Sequence, residues 1–260
     1  MKDRPDKETK TDHIEGRNAV IEALTAGRPV NKMWVLAPEG GRKPDPALIK
    51  IMQLAEQKGI PYTKVPRATL DKMSPDKRHQ GVIIAAAAHE YRDLDEVIAE
   101  VRSEGRQPLI VICDELKDSY NLGSILRISD AAGVDAVVIP ERRSVAVDSN
   151  VAKASAGALE YVPVCRVTNI ASTIRDLKED GFWIAGCDMD GDVTYDKADY
   201  AGAFAIVVGS EGSGIRDGVA KSCDFMISIP MQGHVNSLNA AVAAGIVIFE
   251  AARMRKEGKR

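Results

Sequence analysis

The chain has 260 residues, of which 45% are hydrophobic and 28% charged, and a formal net charge of -3. That length allows one large domain or two small ones, each with a workable core, and two is the preferred division. No run of about 18 apolar residues occurs, and the opening MKDRPDKETKTD is too polar for a signal peptide, so a soluble, cytoplasmic protein without a membrane partner is expected.

Residues 1–12 read as a disordered tail without apolar spacing. Helical spacing follows over Ile14–Leu24, a short strand over Lys32–Ala37, and a helix over Pro46–Lys58 with Leu48, Ile51, Met52 and Ala55 on one face. Ile60–Val65, a helix-like Ala68–Met73 and Gly81–Ala86 complete a small α/β unit, taken as a domain of residues 13–86. A linker and connecting helix are expected over 87–104. The larger domain, 105–260, carries apolar strand runs at Leu109–Cys113, Ala136–Ile139, Phe182–Gly186, Phe204–Val208 and Phe225–Ile229, with a short one at Val162–Val164. Runs apolar on both faces suit strands covered by helices on both sides. Helices at Asn121–Ala132, Ser149–Leu159, Asn169–Glu179 and Gly214–Ser222 alternate with them, and a long last helix spans Ser237–Arg255, so an α/β fold with a mostly parallel sheet is predicted.

Charge is unevenly spread. Residues 1–92 hold 17 Lys and Arg against 12 Asp and Glu, the remainder 18 against 26. The N-terminal third is thus the place where a polyanion would dock, although an ordinary solvated surface explains the count equally well. The four cysteines, Cys113, Cys165, Cys187 and Cys223, form no C-x-x-C pair, which argues against zinc and for reduced, buried small hydrophobes.

Three clusters are rich enough in polar groups to carry chemistry. The first runs from Asp114 to Arg127 after a strand, where Asn121 can cap the next helix and Arg127 lies six residues on, within reach of the strand ends that bind ligands in open α/β sheets. The second is Val208-Gly209-Ser210-Glu211-Gly212-Ser213-Gly214, a glycine turn between strand and helix. It is not the G-x-G-x-x-G fingerprint, and Glu211 opposes a diphosphate there; that carboxylate can cap a helix, bind a sugar or fix an arginine. The third is Ile227 to Asn239, in which helix capping accounts for Asn236 or Ser237 but not for the whole cluster of amides and hydroxyls. No Ser-His-Asp triad, H-E-x-x-H helix or Walker loop is present. Of His13, His79, His89 and His234, only His234 falls in a candidate loop. Chemistry must rest on Arg, Glu, Ser and Asn, which suit positioning and charge stabilisation.

Together the stretches Asn121–Arg127 and Val208–Gly212, with Ile229–Met231 through Ser237–Ala241 as a third, closely resemble the three motifs of the SpoU (TrmH-like) RNA ribose 2'-O-methyltransferases of the SPOUT superfamily. The likeness covers residues 105–255. The unit opening Ile14-Glu15-Gly16-Arg17-Asn18 and closing His79-Gln80-Gly81-Val82 resembles the ribosomal-protein-like substrate-binding domain of the subgroup that methylates a guanosine of 23S ribosomal RNA. The resemblance implies S-adenosylmethionine as cofactor, a trefoil knot at the cofactor site and an obligate homodimer. Topology rules by themselves point to an ordinary doubly wound sheet. It further implies cofactor contacts at Gly209, Ile229, Met231 and Leu238, a catalytic Arg127, supporting Asn121, Glu211, Ser237 and Asn239, and no metal. The implied substrate is 23S ribosomal RNA or a ribosome assembly intermediate, with transfer RNA as the alternative. A non-catalytic ribosome-associated RNA-binding protein is the reading from another class, but it gives no reason to keep Arg127, Glu211 and Asn239 together.

Overall fold

The computed structural model describes residues 11–38, 45–74, 76–234 and 237–258, so residues 1–10 of the expected tail lie outside the described residues, whereas Thr11 and Asp12, expected in that tail, begin a strand paired with Ala87 and Ala86. The chain forms two compact units, one of residues 1–90 with 147–160, the other of 91–146 with 161–260. Residues 147–160, read from the sequence as part of the larger domain, cluster with the N-terminal unit.

The first unit begins with β1 (Thr11–Glu15), α1 (Arg17–Thr25), β2 (Val30–Leu36) and α2 (Pro46–Gln57). It continues through β3 (Tyr62–Val65), α3 (Arg67–Met73) and β4 (Val82–Ala87). Its four-stranded sheet has the order β1-β4-β2-β3, with β1 and β2 antiparallel to β4 and β3 parallel to β2. The helix expected over Ile14–Leu24 therefore starts later. Ile14 is a buried strand residue opposite Ile84, and Gly16, at φ +92°, turns the chain into α1. Glycine tolerates that conformation but offers no side chain for the helix start. Gln80 supplies the missing acceptor, its Oε1 taking the Arg17 N–H at 3.0 Å. At α2, Pro46 occupies the first turn and Asp45 Oδ1 accepts from Ala47 N at 2.9 Å. His79 is a buried structural residue: its Nδ1 accepts from Gly81 N at 2.9 Å, so Nε2 carries the proton shared with Asp71 at 3.0 Å.

The segment 147–160 joins this unit through α6 (Ser149–Ala154) and a single 3-10 turn at Ala158–Glu160. Lys153 reaches Glu15 at 2.5 Å, and the nearly buried Arg28 pairs with Glu160 at 2.9 Å. Gly157, at φ +102°, lies against α1: a Cβ there would stand 2.2 Å from Cγ and 2.4 Å from Cβ of Glu22.

In the second unit, α4 (Leu94–Ser103) leads into β5 (Leu109–Cys113), α5 (Ser119–Ala132), β6 (Ala136–Pro140), β7 (Val164–Val167) and α7 (Ile170–Glu179). Then come β8 (Trp183–Cys187), β9 (Val193–Thr194), β10 (Phe204–Val208), α8 (Asp217–Ala220), β11 (Phe225–Ser228) and α9 (Ala240–Glu257). All pairings in the sheet, ordered β7-β6-β5-β10-β8-β11-β9, are parallel. Every residue of β5, β6 and β10 is buried, as continuous Val/Ile runs in a covered parallel sheet require. One face packs Leu94, Val97 and Ile98 of α4 and Ile170, Ile174 and Leu177 of α7 against Ile110, Ile112, Val138 and Val207. Helices α5 and α9 pack against each other, α5 on β6 and α9 on β10. Because β10 inserts between β5 and β8, the loops leaving the carboxyl ends of β5, β8, β10 and β11 converge on one edge of the sheet.

Sequence and structure differ at some element ends. The helix expected over Gly214–Ser222 shortens to α8, β7 lies two residues later than Val162, and β9, two residues long, is too short to leave a pattern. Cys113 and Cys165 are buried as expected, whereas Cys187 and Cys223 are only half-buried; burial pushes the Cys187 thiol up to about 12.

Replacing Gly157 by alanine forces a left-handed backbone and a clash with α1, and is expected to cost about 2 kcal/mol of stability. The midpoint of urea unfolding, followed by circular dichroism, should fall with little change in slope.

Candidate active site

The loop after β10 closes on itself. Ser210 N donates to Gly214 O and Gly214 N donates to Ser210 O, both at 3.0 Å, while Gly212 and Gly214 take φ of +83° and +64°. Gly209 lies where this turn folds back, and a Cβ on it would sit 2.1 Å from the Gly214 carbonyl carbon and 2.3 Å from Ile215 N. No side chain fits there.

This turn holds Glu211 out toward α5 and α9. Asn121 Nδ2 donates to Glu211 Oε1 at 2.7 Å, and Asn239 Nδ2 donates to the same oxygen at 2.5 Å and to Asn121 Oδ1 at 2.9 Å. The orientation of the Asn239 amide follows from its second task. It caps α9, its Oδ1 accepting from Ala241 N at 2.9 Å and Val242 N at 3.2 Å, so its NH2 must face Glu211 and Asn121. Asn239 thus takes the capping place expected of Asn236 or Ser237. Asn121 does not cap α5; Asp118 does, accepting from Tyr120 N at 3.0 Å. That shift puts Asn121 inside the first turn and frees its amide for the other two residues. Glu211, for which capping was one option, caps nothing and instead binds both amides.

Beside the triad lies a cavity of about 580 Å³ lined by the Val208–Gly214 turn, Cys187–Asp190, Ile227, Ile229, Met231 and Ser237–Ala240 with Ala243. Gly209, Glu211, Ile229, Met231, Ser237, Leu238 and Asn239 all line it, whereas Arg127 and Asn121 do not. Arg127 stands exposed on α5 without a hydrogen bond or ion pair among the described residues. His234 is exposed and does not line the cavity.

Two features escaped the sequence reading. Asp188 and Asp190, after β8, add their acids to that of Glu211, and no lysine or arginine lines the cavity. Asp114, wholly buried at the end of β5, clasps Arg216 across 102 residues: Arg216 N reaches Oδ2 at 2.9 Å, and Nη2 and Nε reach Oδ1 at 2.6 and 3.0 Å. Arg216 Nη1 also pairs with Glu115 at 3.0 Å. Donating these hydrogen bonds to the Asp114 carboxylate raises the already high pKa of the guanidinium. This pair ties the glycine turn to β5. Neither residue carried a periodic or motif signal that could have joined them.

An apolar cavity with three acids and no basic side chain accepts a cation attached to an apolar body and repels phosphates. A sulfonium cofactor fits that lining.

The SpoU rRNA methylase family matches residues 108–249, and the family described as RNA 2'-O ribose methyltransferase substrate binding matches residues 13–92. A Staphylococcus haemolyticus protein assigned to the TrmH family of tRNA/rRNA methyltransferases is 46% identical over 244 residues, covering 94% of this chain and 96% of the relative. A Bacillus subtilis protein with the same family assignment is 43% identical over 244 residues with the same coverage of each chain. The crystal structure of the SpoU methyltransferase AviRb from Streptomyces viridochromogenes in complex with AdoMet superposes with a TM-score of 0.77 at 23% identity, over 94% of this chain and 89% of that one, a likeness of fold. The chain belongs to the SpoU family. It is an RNA methyltransferase.

Losing Arg216 strands the buried Asp114 carboxylate, and losing Asp114 removes the acceptor that ties the backbone and guanidinium of Arg216 to the end of β5. Asp114→Ala is expected to cost about 2–3 kcal/mol, seen as a lower Tm, and to weaken S-adenosylmethionine binding in calorimetry because the turn bearing Glu211 loses its anchor.

Proposed function

We propose that this enzyme methylates a ribose 2'-hydroxyl in structured RNA, at a guanosine of 23S ribosomal RNA, acting in the cytoplasm on the RNA or on a ribosome assembly intermediate. The observation that carries the reading is the meeting of Asn121, Glu211 and Asn239, three motifs remote in sequence, at the rim of the acid-lined cavity. The match of residues 13–92 to a substrate-binding family supports RNA selection by the basic N-terminal unit.

When bound, S-adenosylmethionine supplies a methyl group on a sulfonium, so the transfer needs alignment and proton removal and no metal. Gly209, Ile229, Met231 and Leu238 hold the cofactor, the glycine by admitting backbone where a side chain would clash. The triad of Asn121, Glu211 and Asn239, with Ser237 beside it, fixes the rim against which the ribose is placed. The 2'-oxygen forms its bond to the methyl carbon as the carbon–sulfur bond breaks, and the hydroxyl proton leaves to water or another acceptor. Arg127 is not that acceptor: a guanidinium is a donor only and almost never neutral in water. Exposed and without a protein partner among the described residues, it binds the RNA phosphate or the oxygen as negative charge develops.

The active form is a homodimer, with the trefoil knot implied by the family likeness. Support for self-association comes from α9, where Val242 and Phe249 are half exposed, and from Tyr120 on α5, apolar groups on two helices that pack together.

Mapping of 2'-O-methyl groups in cells with and without the protein tests the reaction. One guanosine in 23S ribosomal RNA should lose its methyl group, and wild type but not Arg127→Ala should restore it, the variant being slower by ~100-fold or more. A loss in transfer RNA would move the substrate there, and no change in any ribose would overturn the enzyme reading. Light scattering should give twice the chain mass of 28.1 kDa, and Phe249→Glu should shift the species toward single chains.

A further inference from the structure

The N-terminal sheet has one closed and one open face. Ile14, Ile84, Met33 and Val35 are buried on the closed face, on the side of α1 and α2. On the other, His13, Ala85 and Lys32 stand in one row across β1, β4 and β2, and Glu15, Ile83, Trp34 and Thr63 in the next. Helix α3 covers one end, where Leu70, Val65 and Ile83 pack with Trp34, Leu36 and Met73. Beyond it His13, Lys32 and Thr63 are exposed and Trp34 is half-buried. The Trp34 ring meets the His13 ring edge-on, with centroids 5.8 Å apart, and carries the Lys32 ammonium 5.3 Å from its centroid. Ala85, small, lies between His13 and Lys32 in the strand register.

We propose that Trp34, flanked by His13 and Lys32, is a stacking platform for an unpaired nucleobase of the RNA substrate. It rests on the reading of RNA as substrate and adds the place and manner of grip. Three observations select an RNA strand as occupant. The aromatic surface is accompanied by a cation and an imidazole, the pairing that suits a base with its phosphate. The one acid in those two rows, Glu15, is engaged by Lys153 at 2.5 Å and so does not oppose a polyanion. The surrounding third of the chain has a surplus of basic residues, 17 against 12. An incoming base displaces Lys32 from the ring at little cost, because an exposed cation–π contact is worth roughly a 2- to 5-fold preference. Stacking a base on an aromatic ring is worth roughly 5- to 150-fold in affinity. The released ammonium then meets the adjoining phosphate.

The chain has two tryptophans, Trp34 and Trp183, so Trp183→Phe leaves Trp34 as the sole indole reporter. Titrating this protein with an unstructured oligoribonucleotide of about ten nucleotides should quench the indole emission. An abasic oligonucleotide of the same charge should bind more weakly and quench little. In the otherwise wild-type protein, Trp34→Ala should weaken oligonucleotide binding roughly 10-fold and Trp34→Phe much less, with S-adenosylmethionine affinity unchanged as a check on folding. If the RNA binds without quenching, or the Trp34→Ala protein binds as wild type does, the platform is overturned and the substrate reading stands. If the wild-type protein binds neither this oligonucleotide nor ribosomal RNA in a filter assay, both fall.

Discussion

The contact between Gly209 and the Gly214–Ile215 peptide constrains everything else in the catalytic unit. A turn that folds back this tightly on the end of its own strand permits no Cβ at Gly209, and it needs two further glycines at positive φ to close. What the turn gains is position. Glu211 is carried on a short backbone ring with two mutual hydrogen bonds, and so meets amides from two helices without a long side chain having to search for them. The glycine-rich stretch is thus a means of presenting a carboxylate, and its resemblance to a phosphate cradle is superficial.

Electrostatics assigns different tasks to the two ends of this arrangement. Below the turn, Asp114 is fully buried and fully engaged by Arg216, a structural pair whose value lies in leaving no charge unmatched. Around the cavity, Asp188, Asp190 and Glu211 face a space without basic side chains, and the imbalance is available to a cationic ligand. A lysine or arginine moved into this lining would make it a worse site for a sulfonium, even with every backbone contact retained.

Much of the catalytic unit was legible because its strands are buried on both faces. Leu109–Cys113 and Phe204–Val208 are continuous apolar runs whose limits coincide with β5 and β10. The N-terminal unit was less legible. Ile14 fits a helical spacing, and only the pairing of β1 with β4, some seventy residues away, makes it a strand residue. Asn121 read as a cap because Asn is a good one, but Asp118 is as good and lies three residues earlier. The segment 147–160 looked like any helix of an alternating fold; its attachment to the first unit depends on Gly157 against Glu22 and Arg28 against Glu160, contacts that no local pattern announces.

The amino-acid sequence by itself determined the alternation of strands and helices, the parallel sheet and the three polar clusters at strand ends, because burial periodicity and turn chemistry are local properties of the chain. The family likeness of those clusters was legible in it too. Only the tertiary structure decided which polar groups meet. Asp114 with Arg216, and Asn121 with Glu211 and Asn239, are separated by between 28 and 118 residues, and hydrogen bonds select partners by distance and direction in space. Sequence spacing carries neither.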